Sequence, residues 1–294
     1  MATDGNTQHL FSLEEAKACI LPRKTDSHKG TFGHGLLVAG SKGMAGAALM
    51  AARSCLRSGI GLLTVATPEC NRAIVQEAVP EAMVRTNGDW ICAEGSPLSP
   101  NFSACAIGPG LGTYERTKEA LSRMIEAAAQ ADIPTVLDAD ALNILSLSDV
   151  WWENLPHKTI ITPHPGEFNR LLRPFSQTYN PAERQQQALM MAKETNVCVI
   201  LKGNKTVVAL PDGRFSINPT GNAGMATGGS GDVLTGILLA LCAQGYALYD
   251  AARLGVFVHG LAGDVAAEEL GQISLVATDI IRFLPKAWKM ICGS

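Results

Sequence analysis

The chain has 294 residues, 47% of them hydrophobic and 17% charged, with a formal net charge of −3. That balance describes a large buried core and gives no electrostatic basis for binding nucleic acid or an anionic membrane. No uncharged apolar run reaches the ~18 residues of a membrane span, and the polar first residues do not read as a secretory leader.

Eight cysteines are scattered without a C-x-x-C pair or zinc-type Cys/His spacing, which suits a reducing compartment and makes the cytoplasm the expected location. From the N-terminus, Ser12-Leu13-Glu14-Glu15 has the form of a capping box opening a short helix that Pro22 stops. Residues 1–27 are expected to form a peripheral arm and 28–294 a single domain.

From Gly33 an α/β rhythm begins. A strand over Gly35–Gly40 is followed by a small-residue helix ending near Ser58 and a strand over Leu62–Ala66, a parallel crossover unit. Gly40, Gly43 and Gly46 are spaced G-x-x-G-x-x-G, which departs from the dinucleotide-binding G-x-G-x-x-G. The alanine-rich helix face therefore reads as close helix–sheet packing. The strand Ala104–Ile107 runs into Gly108-Pro109-Gly110, either a turn or a ligand-facing loop at a strand's carboxyl end.

A helix over Arg116–Ala131 precedes the strand Thr135–Leu137 and then Asp138-Ala139-Asp140. These acids can support a metal or a ligand hydroxyl, or cap the next helix; Asp138 and Asn143 are expected to line a cleft, with Asp140 as structural or polar support. The strand Thr159–Thr162 ends in Pro163-His164-Pro165-Gly166-Glu167, where prolines stiffen the backbone around a histidine able to hold a ligand ring. After a helix over Pro181–Thr195, the strand Val197–Leu201 delivers Lys202-Gly203-Asn204-Lys205-Thr206, a cation with small donors suited to a phosphate. Pro211–Arg214 reads as a hairpin turn.

The stretch Asn218–Gly236 carries six glycines from Gly221 onward and one charge, Asp232, directly before the apolar helical run Val233–Ala243. A glycine-dense loop feeding a helix N-terminus presents bare backbone N–H groups to an anion. A carboxylate there can take a proton from a hydroxyl, or simply cap the helix. No P-loop signature is present. Farther on, a helix over Tyr249–Glu269 carries His259, read as buried structure, and Asp264; Pro285 is expected to bend or break the last helix.

Five blocks together are similar to the ADP/ATP-dependent NAD(P)H-hydrate dehydratase family: K-G-T-F-G-H-G-L-L-V-A-G-S (29–41), I-G-P-G-L-G (107–112), T-P-H-P-G-E (162–167), L-K-G-N-K-T (201–206) and the loop 218–236. The resemblance implies a ribokinase-like three-layer α/β/α fold with a mostly parallel sheet. It implies repair of (6S)-hydrated NADH and NADPH, with ADP giving AMP and phosphate, or ATP in its place. Asp232 is then the catalytic base. Ala47, Gly110, His164 and Asp232 face the hydrated nicotinamide; Lys202, Gly203, Asn204, Lys205, Thr206, Gly229, Ser230 and Gly231 face the nucleotide. Magnesium is expected without an assigned ligand. So are a homotetramer and a separate NAD(P)H-hydrate epimerase supplying the S epimer. A ribokinase-like kinase of the hydroxymethylpyrimidine or hydroxyethylthiazole type is the alternative.

Overall fold

The computed structural model describes residues 9–86, 88 and 101–293. Nine strands form one sheet: β1 (His34–Val38), β2 (Leu62–Ala66), β3 (Met83–Arg85), β4 (Ala104–Ile107), β5 (Thr135–Leu137), β6 (Thr159–Ile161), β7 (Cys198–Leu201), β8 (Val207–Ala209) and β9 (Phe215–Ile217). Their order is β3-β2-β1-β4-β5-β6-β7-β8-β9. All pairs from β3 to β7 are parallel; β8 and β9 extend the sheet by antiparallel pairing.

The side chains of the parallel strands alternate between two cores. Leu37, Ala106, Val136, Ile160 and Ile200 enter one; Leu36, Ile107, Leu137, Ile161 and Leu201 enter the other. Strands buried on both faces suit parallel pairing under helices. The first core is closed by α1 (Leu13–Cys19), α2 (Ala45–Arg57), α3 (Arg72–Ala78), α8 (Ser230–Ala243), α9 (Leu248–Leu270) and α10 (Ala277–Cys292). The second is closed by α4 (Glu115–Gln130), α5 (Asp140–Leu145), α6 (Pro165–Leu171) and α7 (Arg184–Thr195). Three layers result. The chain leaves β1 toward β2 and β3, then returns to β4 on β1's other side, so a crevice opens beyond the carboxyl ends of β1 and β4.

Three sequence expectations change. The alanine face of α2 packs against α8 more than against the sheet. A Cβ at Gly236 would lie 2.0 Å from the Ala51 carbonyl oxygen, so only glycine permits that crossing. Pro285 lies inside an unbroken α10, whose buried face (Ile280, Ile281, Phe283, Leu284, Ala287, Ile291) spans both sides of it. The arm before residue 28 is partly core: Phe11 is 1% exposed and meets the Phe257 ring edge-on at 5.5 Å. Leu10 bridges Ile217, covering the β9 edge, and Ser12 with Glu15 completes the capping box of α1. Among the described residues no helix is long and apolar enough to cross a membrane.

Candidate functional site

The loops after β4, β5, β6 and β7 converge on the N-terminus of α8. After β4, Gly108 (φ 144°) passes so close to β5's end that a Cβ would fall 1.8 Å from the Asp138 carbonyl oxygen. Gly110 (φ 64°) lies over the start of α2, where a Cβ would stand 2.9 Å from the Ala47 Cβ and 3.1 Å from the Met44 Cβ. The structure thus joins Ala47 and Gly110, which are far apart in sequence, on one wall.

Asp140 acts as the polar support expected of it. It accepts from the Gly112 N–H (2.8 Å) and from Asn143 Nδ2 (3.2 Å). Asn143 in turn accepts from Arg170 (2.6 Å), fastening the loop after β5 to α6. Asp138 departs from expectation: at 1% exposure it lies beneath the cleft rather than along it. It accepts from Lys202 Nζ (2.8 Å) and from Thr235 Oγ1 (2.7 Å). The Lys202 ammonium and these hydrogen bonds hold its carboxyl below the usual range despite burial, which alone would raise it. Burial alone would lower the Lys202 pKa, but Asp138 and then Glu167 hold it above the ordinary lysine value, so the pair is ionised.

His164 caps α6. Its Nδ1 accepts from the N–H groups of Gly166 (3.0 Å) and Glu167 (3.4 Å), which leaves the proton on Nε2. Burial, then Lys202 and Arg170, holds the ring below its ordinary pKa, so it is neutral. Its side chain is 53% exposed and reaches the crevice rim, while Glu167 is buried and accepts from the His164 N–H (2.8 Å). Burial pushes the Glu167 pKa up against the opposing pull of Lys202.

Beyond β7, Arg184 donates to the carbonyls of Leu201 (3.0 Å), Lys202 (3.3 Å) and Asn204, bracing the loop from below. Gly203 (φ 138°) and Lys205 (φ 54°) bend it. Thr206 is turned inward and donates to the Gly203 carbonyl (3.0 Å), whereas Asn204 and Lys205 are exposed.

The α8 N-terminus completes the site. Gly229 (φ 92°) is its N-cap and no side chain caps the turn; the Ser230 N–H turns back weakly to the Thr227 carbonyl (3.4 Å), and the Gly231 N–H is left for a ligand. A Cβ at Gly231 would lie 3.4 Å from Lys202 Nζ, so a small space separates the ammonium from the helix end. Asp232 follows in the first turn. Burial foremost, then the Asp138 charge, pushes its pKa up to about 7 against the pull of Lys202. A carboxylate near that value is suited to collect a proton at neutral pH.

Sequence reasoning missed what holds this loop. Asp264 accepts from the Gly221 N–H (2.8 Å) and from Asn222 Nδ2 (2.9 Å). Gly260 and Gly263 let Thr220 and Met225 press onto α9, where any Cβ would come within 2.2 Å of them. His259, expected to be buried, is only partly buried; desolvation by its surroundings still pushes its pKa down to about 4, and its Nε2 lies 3.4 Å from Ser230 Oγ. The available signal was the spacing of His259, Gly260, Gly263 and Asp264, which puts small and polar groups on one helix face. A cavity of about 580 Å³, lined by Pro22, Phe32, Gln244 and Trp288 among others, lies at the opposite ends of α2 and α8 and shares no residue with the crevice.

A three-layer fold with a crevice beyond the strand ends and a glycine-rich helix N-terminus facing it is of the ribokinase-like class. An Enterococcus faecalis protein of the ribokinase-like superfamily superposes with a TM-score of 0.82 at 28% identity, each chain fully covered. The NAD(P)H-hydrate dehydratase family model matches residues 35–286, and the chain belongs to that family. The Bacillus subtilis ADP-dependent (S)-NAD(P)H-hydrate dehydratase is 36% identical over 95% of this chain and 98% of its own. A crystal structure of the Bacillus subtilis ADP/ATP-dependent enzyme, co-crystallised with ATP and Mg2+, superposes with a TM-score of 0.85 at 34% identity, covering 98% of this chain and all of its own. The bifunctional NAD(P)H-hydrate repair enzyme of Thermofilum pendens is 39% identical over 92% of this chain, which spans about half (52%) of that relative.

Proposed function

We propose that the chain dehydrates (6S)-hydrated NADH and NADPH, using ADP and releasing AMP and phosphate. Asp232 takes the proton of the C6 hydroxyl as that oxygen attacks the terminal phosphoryl group. The N–H groups of Gly229, Ser230 and Gly231 receive the charge on the transferring group, with Lys202 at its side. The bond from the transferring phosphorus to AMP breaks as the new P–O bond forms, and phosphate then leaves C6 with the C–O electron pair. The ring nitrogen's lone pair drives that departure, and loss of the neighbouring C5 proton restores the double bond. Turning hydroxide into phosphate supplies the leaving group that the ring lacks.

Ala47 and Gly110 form the wall for the hydrated ring, and neutral His164 offers it a hydrogen-bonding edge. Residues Lys202 to Thr206 form the nucleotide side. The observation that carries the reading is Asp232, with its pKa near 7, in the uncapped first turn of α8 beside Lys202.

Among the described residues no group of three or more His, Cys, Asp or Glu could hold a metal ion. Asp138 is engaged by Lys202 and Thr235, and Glu167 by the His164 N–H. This donor set suits Mg2+ carried in on the nucleotide phosphates, whose charge it would neutralise, rather than a resident ion. We also infer a cytoplasmic location, in keeping with the free cysteines, a homotetramer, and a partner epimerase that converts the R hydrate to the S form.

The test incubates the protein with hydrated NADH or NADPH and either ADP or ATP. Return of the reduced-nicotinamide absorbance together with free phosphate supports the dehydratase. A phosphorylated alcohol that persists would instead favour a small-molecule kinase. Asp232→Asn should keep nucleotide binding and lose nearly all turnover.

A further inference from the structure

Lys202 lies close to the α8 N-terminus and is held from beneath. Its ammonium is paired with Asp138 at 2.8 Å and lies 4.0 Å from Glu167. Asp138 is in turn fixed by Thr235 Oγ1 at 2.7 Å, and the same hydroxyl lies 3.2 Å from the Gly231 carbonyl oxygen. One buried carboxylate therefore ties the ammonium at the end of β7 to α8 at Thr235, about one turn beyond Gly231, the two sides of the space a phosphoryl group would enter. A Cβ on Gly231 would stand 3.4 Å from Lys202 Nζ and 3.7 Å from Asp138 Oδ2.

We propose that Asp138 is a positioning residue for phosphoryl transfer, locking Lys202 and the α8 turn at a fixed separation through Thr235. This deepens the function proposed above and rests on it for the identity of the acceptor. Both carboxylate oxygens already have donors, one each from Lys202 and Thr235, which distinguishes this role from metal ligation. The lock acts on the transition state because the nucleotide is also held by the braced loop beyond β7, whereas the migrating phosphoryl depends on the gap between ammonium and helix end. Asp138 has a second effect through space. The charges around Asp232 are Asp138 at the end of β5, Asp140 in α5 and Lys202 at the end of β7, with Glu167 in α6 beyond Lys202 and His259 in α9 beneath Ser230. Of the carboxylates, Asp138 contributes most to keeping Asp232 protonated.

The deciding variant is Asp138→Asn, which keeps the shape and removes the charge. Its kcat should fall about 100-fold, the scale of a small misplacement of a reacting group, with KM for ADP little changed. The acid limb of the kcat/KM profile should move to lower pH, because Asp232 loses a like-charged neighbour. A second readout needs no hydrated substrate: calorimetry of AMP with aluminium fluoride, a mimic of the phosphoryl in flight. Asp138→Asn should weaken that complex at least tenfold while ADP binding stays near wild type, so failure of the dehydratase reading leaves this test standing. Thr235→Val, which removes only the hydroxyl link, should show a smaller loss of the same kind and decides the matter if Asp138→Asn fails to fold. An unchanged fluoride complex and pH profile, a loss confined to KM, or rescue by added magnesium would each overturn the proposal.

Discussion

Asp232→Asn should make the protein more stable above neutral pH while silencing it. The Asp232 pKa rises from an ordinary 3.8 to about 7 in the folded chain. Between these values the unfolded chain has released the proton and the folded chain retains it, so stability falls as pH rises across that window. Above pH 7 the full penalty of an ionised, partly buried carboxylate beside Asp138 persists. A gap of that size corresponds to ~4 kcal/mol at most, and solvent reaching the crevice reduces it to about 2–3 kcal/mol. Asparagine keeps the shape without the charge. The assay is urea denaturation of wild type and variant at pH 4 and pH 8. The two midpoints should nearly coincide at pH 4, and the variant should be the more stable by that amount at pH 8. Equal stability at both pH values would show that Asp232 is not strained by its surroundings, and the reasoning for a base poised near neutrality would go with it.

Two further substitutions probe the frame of the site. Gly236→Ala places a Cβ 2.0 Å from the Ala51 carbonyl oxygen, so α2 and α8 must separate; a loss of about 3 kcal/mol or more is expected, and a midpoint within error of wild type would refute the close crossing. Asp264→Ala leaves the Gly221 N–H and Asn222 Nδ2 without their acceptor, which should cost about 1–3 kcal/mol and speed proteolysis within 218–229. Wild-type resistance to protease there would show that α9 does not anchor the loop.

Local composition carried much of the fold. The strands at 62–66, 104–107 and 135–137 match their expected runs to the residue, because a segment buried on both faces must be largely apolar or β-branched; Thr64 and Thr135 are their only hydroxyl residues. Two short elements, β3 and α3, escaped. β3 is mostly exposed, and α3 has only seven residues, so neither leaves a periodic signal of useful length. The helical start was placed at Val233 and lies at Ser230, since the glycines that open the anion cradle also conceal a helix from propensity.

At the site, the sequence alone determined which residue types were present and where they had to cluster: glycines before an apolar helix, one acid at its mouth, a lysine and a histidine each following a strand. Those facts are local, and they suffice to suggest a class of chemistry. Tertiary structure decided the partnerships. Ala47 meets Gly110, Asp264 grips Gly221, and Asp138 sits below the cleft holding Lys202, each through contacts between segments remote in the chain. The charge state of Asp232 belongs to the same class, because burial and the neighbouring Asp138 set it, and neither exists until the sheet has brought β5, β7 and α8 together.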